Sequence, residues 1–149
     1  MPISRKCQYA VRAVFELAKH YGEGPLKIEK IATTQALPLQ FLEGILSELK
    51  QAGFLASLRG RNGGYSLSRP PSEITFGEVV RFVEGPLSPV DCATDGAAPA
   101  CPLAASCVFL PVWQEAEAAV SAVYDHLTYQ ELLERAERIC AAGALEYVI

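Results

Sequence analysis

Apolar residues recur at a three-and-four spacing between residues 4 and 21, where Tyr9, Ala10, Ala13, Val14, Leu17 and Ala18 share one face of a helix. Gly22-Glu-Gly24-Pro25 stops it. Leu26-Lys-Ile28-Glu-Lys-Ile31-Ala predicts a short second helix. Ala36-Leu37-Pro38 predicts a turn, because proline presets its own φ and drives the residue before it out of helical geometry. Residues 39–52 then carry Phe41, Leu42, Ile45, Leu46 and Leu49 on one apolar stripe, and Gly53 is placed to close the helix. A short helix, a tight turn and an amphipathic helix make a helix-turn-helix.

The period then falls from helical to extended. Phe54-Leu55-Ala56-Ser57-Leu58 and Tyr65-Ser-Leu67-Ser predict two strands around Arg59-Gly60-Arg61-Asn62-Gly63-Gly64. Asn-Gly favours a two-residue type I′ turn, which needs positive φ at both central positions. A hairpin tipped with two arginines behind a helix-turn-helix reads as a wing. Arg59 and Arg61 on it can reach phosphates or a narrow minor groove.

Pro70-Pro71 punctuates the chain. Residues 74–83 predict a short helix entered from Thr75, and residues 111–127 a long one. On the long helix Val112, Ala116, Val120, Val123 and Leu127 fall three or four apart, widened by Trp113, Ala119 and Tyr124. A helix so apolar must bury its face. A two-fold contact with a second copy does this economically; packing on its own head is the alternative. Thr128-Tyr-Gln-Glu131 is a capping box and starts another short helix. Cys140, in the Ala- and Gly-rich tail beyond Arg138, reads as a buried or spare thiol. The pattern thus predicts a mainly α fold with a small β-hairpin wing. Residues 1–70 form a winged helix-turn-helix DNA-binding region and 71–110 a short helix and cysteine-bearing loop. Residues 111–149 supply a dimerisation helix and tail.

Charge sharpens this division. The net charge of −4 conceals ten Lys or Arg against five Glu in residues 1–69, and three Arg against twelve acids in residues 70–149. The first half can lie against phosphates and the second is repelled by them. No apolar run approaches the ~20 residues of a membrane span. The first residues lack the apolar core of an export signal, so a cytoplasmic protein is expected.

Cys92, Cys101 and Cys107 stand together in a stretch rich in Ala, Gly and Pro, which predicts a loop able to fold around something. Five cysteines without an export signal argue for metal or redox chemistry over structural disulfides. Thiolates suit iron–sulfur clusters or zinc. Three unrelated thiols in a loop are the plain alternative.

Several stretches together resemble one family of bacterial winged-helix transcription regulators, typified by the iron–sulfur assembly regulator IscR, the nitric-oxide-sensing NsrR and the cysteine-metabolism repressor CymR. They are Tyr9-Ala10-Val11, Phe41-Leu42-Glu43, Leu46-Ser-Glu-Leu49-Lys and Gly53-Phe-Leu. Leu58-Arg59-Gly60-Arg61-Asn62-Gly63-Gly64-Tyr65-Ser-Leu67 is the most specific, joined by Ile74-Thr75-Phe76-Gly77-Glu78-Val79 and Leu127-Thr128-Tyr129-Gln130-Glu131-Leu132. The resemblance runs from about residue 1 to residue 138. It implies a homodimer on palindromic double-stranded DNA, with the long helix at the dimer interface. It also implies Leu39, Gln40, Phe41 and Glu43 at the groove-facing start of the recognition helix, with Arg59 and Arg61 on the wing. Gln40 suits adenine, and Glu43 either accepts from the N4 donor of cytosine or stays unpaired to reject wrong bases. Charge and placement add Arg5, Lys6 and Lys50 as phosphate contacts.

The resemblance further implies that Cys92, Cys101 and Cys107 hold a cluster, 2Fe–2S or 4Fe–4S. Here the chain departs from its relatives. One branch has a His three residues after the last Cys, where this chain has Leu110; another uses an acidic residue at the position of Gln8. Cys7 of the partner chain, Asp91, Asp95 or a small exogenous ligand are candidates for the fourth position. A metal-free thiol switch needs none of them, and structural zinc would need the same fourth donor. Enzyme activity is not expected: His20 and His126 lie in no nucleophile motif, and the glycine-rich stretch is a hairpin tip rather than a phosphate-cradling loop.

Overall fold

The computed structural model describes residues 3–94 and 101–146. Helix α1 (Arg5–Lys19) starts at Ser4, whose hydroxyl accepts a hydrogen bond from the Cys7 amide at 3.1 Å. Its buried stripe is Ala10, Ala13, Val14, Leu17 and Ala18, as its spacing predicts. Helix α2 (Ile28–Gln35) ends where Ala36 turns left-handed at φ 51° and the Leu37 amide reaches back to the Ala32 carbonyl at 2.8 Å. Helix α3 (Leu39–Gln51) buries Leu42, Ile45, Leu46 and Leu49, each such side chain contributing about 1.5–3 kcal/mol. Phe41, expected on the same stripe, is 57% exposed. It stands a full 100° round the helix from Leu42, at the rim of the arc that faces α1. Gly44 sits mid-helix with nothing within 4 Å of where a Cβ would be, although an interior glycine costs about 0.5–1 kcal/mol relative to alanine.

Strands β1 (Leu55–Leu58) and β2 (Gly64–Leu67) pair antiparallel, with Leu55 opposite Leu67 and Leu58 opposite Gly64. Residues 59–63 therefore form the tip, closed by the Gly63 amide on the Gly60 carbonyl at 3.0 Å with Gly60 at φ +109°. The expected two-residue Asn-Gly turn does not form. Leu26 explains why β2 begins at Gly64. It lies outside α2, contrary to its helical pattern, and exchanges backbone hydrogen bonds with Tyr65 at 2.8 and 2.9 Å. That extra strand contact holds Tyr65 in place and leaves a wider loop ahead of it.

Helix α4 (Phe76–Glu84) carries a capping box between Thr75 and Glu78. Helix α5 (Leu110–Asp125) follows the cysteine loop, and α6 (Tyr129–Glu146) opens on a second box between Thr128 and Glu131. Helix α6 is not short: it continues through the tail, where alanines favour helix and outweigh the single Gly143. Cys140 on it is exposed rather than buried. A bridge between Thr75 and Thr128 sets the two caps side by side. It seats Tyr129 wholly inside the core, its hydroxyl donating to the Val11 carbonyl at 3.3 Å. The core thus draws Ile74, Val79 and Tyr129 in with the residues of the helix-turn-helix.

Helix α5 uses its apolar surface in two ways. Val120 and Tyr124 pack on the head, Tyr124 edge-on to Phe76 at 5.0 Å, and Arg81 clamps Asp125 and Ser121. Val112, Ala116, Ala119 and Val123 stay exposed in a continuous stripe, Val123 by 64%. The sequence posed own-head packing and an outside contact as alternatives; the helix has a face for each. No described helix is long and apolar enough to cross a membrane.

Candidate DNA-reading surface and cysteine-lined cavity

Pro38 starts α3 without a side-chain cap, so the first turn projects from the turn at Ala36 and Leu37. Leu37 is buried and anchors it. Leu39, Gln40, Phe41 and Glu43 are all exposed there. Gln40, Ser47 and Gln51 point away from the buried stripe, while Lys50 lines a cleft beside the wing.

Between the start of α2, the end of α3 and the wing lies a polar cleft of about 500 Å³ whose cations are Lys27, Lys50, Arg59 and Arg61. Among the described residues, none of the four has an ion-pair partner. Glu29 shares the lining, so the cleft holds four cations against one carboxylate, an excess that attracts a polyanion. Lys27 was not singled out from the sequence. Its position follows from the Leu26–Tyr65 bridge, a long-range contact with no local signal; the one hint was its place in the N-terminal charge excess. Exposed Leu58, beside Arg59, was likewise not singled out.

The remaining expected phosphate contacts stand apart from this cleft. Arg5 is exposed at the start of α1. Lys6 pairs with Glu48 of α3 at 2.6 Å, so it reaches a phosphate only by leaving that carboxylate. Half-exposed on both sides, the pair is weak enough to exchange.

Cys92 lies on a single 3-10 turn (Asp91–Ala93), and Cys101 precedes another (Ala104–Ser106) whose end delivers Cys107 to the foot of α5. The three thiols line one cavity of about 430 Å³ with Ala104, Ala105 and Leu110. Cys92 and Cys101 are exposed and Cys107 is half-buried. Among the described residues, no three His, Cys, Asp or Glu side chains converge closely enough to hold a single ion. The sharing of a cavity and the lack of convergence are compatible, because a multi-iron cluster separates its ligands farther than one ion does. The donors present are soft thiols and suit such a group. Among the described residues no fourth donor lines the cavity, where Leu110 presents only hydrocarbon.

Asp91 is exposed on the Cys92 turn, and Asp95 lies outside the described residues. Cys7 does not fit the part considered for it. It is fully buried against Val80 and Leu87 within its own protomer. That burial, with Glu84 beside it, pushes its thiol up to about 12. A neutral thiol walled off by its own fold is no ligand for a neighbour's iron. Neighbouring Gln8 is exposed, with its amide turned back to the Ile3 carbonyl at 3.1 Å.

A helix-turn-helix with a two-stranded wing and a cationic cleft between them defines a winged-helix DNA-binding regulator. The chain belongs to the Rrf2 family, described as iron-dependent transcriptional regulators, which it matches over residues 3–135. It is 44% identical over 95 residues to the HTH-type transcriptional regulator CymR of Bacillus subtilis, covering 64% of this chain and 69% of that one. The structure of that protein, described as the global cysteine regulator of B. subtilis, superposes with a TM-score of 0.74 at 36% identity, covering 91% of this chain and 98% of that one. The structure of IscR from T. potens superposes with a TM-score of 0.76 at 34% identity, covering 93% and 90%. The family is one of transcription regulators, not enzymes.

Proposed function

We propose that this regulator binds a palindromic operator as a two-fold homodimer, and that an iron–sulfur cluster held by Cys92, Cys101 and Cys107 sets its DNA affinity or target choice. The observation that carries the reading is the single cavity lined by all three loop thiols at the foot of α5. The open stripe of Val112, Ala116, Ala119 and Val123 on that helix is the surface a second protomer would cover. Apolar and continuous, it suits an isologous contact about a two-fold axis.

On the DNA side, Leu39, Gln40, Phe41 and Glu43 enter the major groove, where Gln40 pairs with adenine and Glu43 accepts from cytosine. Arg59 and Arg61, with Lys50, Arg5 and Lys6, neutralise phosphates. A cluster, when bound, supplies iron that can be oxidised, lost or attacked by a small molecule. The chain's own part is to present three thiolates from a loop continuous with α5. Leu110 leaves a coordination position without a side chain from the cavity wall, a feature that suits a sensor.

A second reading keeps the DNA binding and replaces the cluster by thiol chemistry. The exposure of Cys92 and Cys101 and the missing fourth donor favour it. Two thiols would give up two electrons and two protons to a peroxide, forming one disulfide while the O–O bond breaks to give two waters, or one alcohol and one water.

Anaerobic purification separates the two. Visible absorbance, iron and sulfide are expected in the wild type and lost in Cys92→Ala, with operator affinity differing between loaded and stripped protein. A colourless, iron-free wild type with reactive loop thiols would favour the second reading.

A further inference from the structure

Besides the cleft at the wing and the cysteine cavity, a concavity of about 390 Å³ lies between α1 and α3, on the side of α3 turned away from the wing. Its walls are Tyr9 from α1 and Phe41 and Ile45 from α3, with Arg5 and the Lys6–Glu48 pair at its edge. We propose that it is a binding site for a small monoanionic carboxylate with a compact apolar body.

Three observations meet here. The volume falls within the range of small-molecule sites, about 300–1,000 Å³, and the lining surface is mostly apolar, joined by the charged side chains of Arg5, Lys6 and Glu48. The space exists because residue 44 is glycine. Gly44 has an ordinary helical backbone and no neighbour within 4 Å of its missing Cβ, so neither a turn nor close packing calls for glycine there. Any larger side chain would project into the concavity. Phe41 likewise stays exposed over it instead of joining the core.

Charge then selects the ligand. Lys6 and Glu48 neutralise each other at 2.6 Å, whereas Arg5 has no carboxylate partner among the described residues. The site therefore holds one uncompensated guanidinium beside aromatic and aliphatic walls. A carboxylate accepts both prongs of such a group, and the ring or branched chain behind it lies against Tyr9, Phe41 and Ile45. An amino acid fits less well, because its ammonium must first displace Lys6 from Glu48. The site uses none of the loop cysteines and stands whether or not they hold a cluster.

Phenylacetate, 4-methylpentanoate, phenylacetamide and phenylalanine are the probes, titrated into the full-length protein and followed by the amide resonances of Tyr9, Gly44 and Ile45. Both carboxylates are expected to saturate with a dissociation constant of about 1 mM or tighter. Phenylacetamide and phenylalanine should bind about tenfold or more weakly, since a charge-assisted contact is lost or opposed. Arg5→Gln should bring phenylacetate to the level of its amide, and Gly44→Leu should abolish both carboxylates while melting no lower than wild type. Absence of saturable shifts, or binding that survives Gly44→Leu, would overturn the proposal. In the first of those cases, loss of operator affinity or of the dimer in Gly44→Leu would name the duplex or a second protomer as the true occupant.

Discussion

Leu26 and Tyr65 exchange both backbone hydrogen bonds, 39 positions apart, and so stitch the approach to α2 onto the second strand of the wing. This contact brings Lys27 to face Arg59 and Arg61 across one cleft. Gly64 makes it possible, since a Cβ there would lie 2.4 Å from the Leu26 carbonyl oxygen. Gly64→Ala should therefore destabilise the fold by about 1–3 kcal/mol and weaken DNA binding through a displaced wing. Thermal unfolding and operator titration check this; an unchanged melting temperature would mean the bridge yields without cost.

Replacing Arg59 and Arg61 together by Ala should weaken binding to every duplex, whatever its sequence. If each neutralises one phosphate, the slope of log K against log salt should flatten by about 1.8. Affinity measured across a salt series reads it directly, and an unchanged slope would remove the wing from the interface.

Gln40→Ala should act differently, relaxing discrimination at one operator position by about 1–3 kcal/mol for the preferred base. Binding to a panel of single-base operator variants distinguishes this from a uniform loss. A uniform loss would show that Gln40 supports the helix without reading a base.

Glu16 ties α1 to the end of α2: fully buried, it accepts from the Gln35 amide at 2.7 Å and from Lys19 at 3.3 Å. Burial pushes its carboxyl up, but these hydrogen bonds and the charges of Lys19 and His20 outweigh it and hold it below the ordinary value. A depressed folded value makes its contribution complete above the unfolded pKa of about 4.3 and drains it as pH falls through the folded one. Glu16→Gln should melt lower than wild type at pH 7, with the gap closing below about pH 4. A gap independent of pH would assign the loss to packing alone.

Much of the fold is legible without coordinates because its signals are local. The boxes at Thr75–Glu78 and Thr128–Glu131 are read from residues three apart, and both form. The stripes of α1 and α3 likewise need only a period of 3.6. What misleads is also local: Leu26 matches a helical pattern, and Asn62-Gly63 matches a two-residue turn, yet a partner 39 positions away decides both. Phe41 matches the stripe of α3, but the width of the buried arc depends on how closely α1 approaches, and no periodicity encodes that.

The order and type of the elements, the excess of positive charge in the first half, and the grouping of three cysteines ahead of a long apolar helix are determined by the sequence alone. Each rests on composition or on neighbours within one or two turns. Tertiary structure decides which side chains share a space. It gathers Lys27, Lys50, Arg59 and Arg61 around one cleft and sets Cys92, Cys101 and Cys107 on one cavity. It closes Cys7 inside its own protomer and leaves a concavity beside Gly44. These are outcomes of packing between segments far apart in the chain, where the burial of one surface fixes what the next can reach.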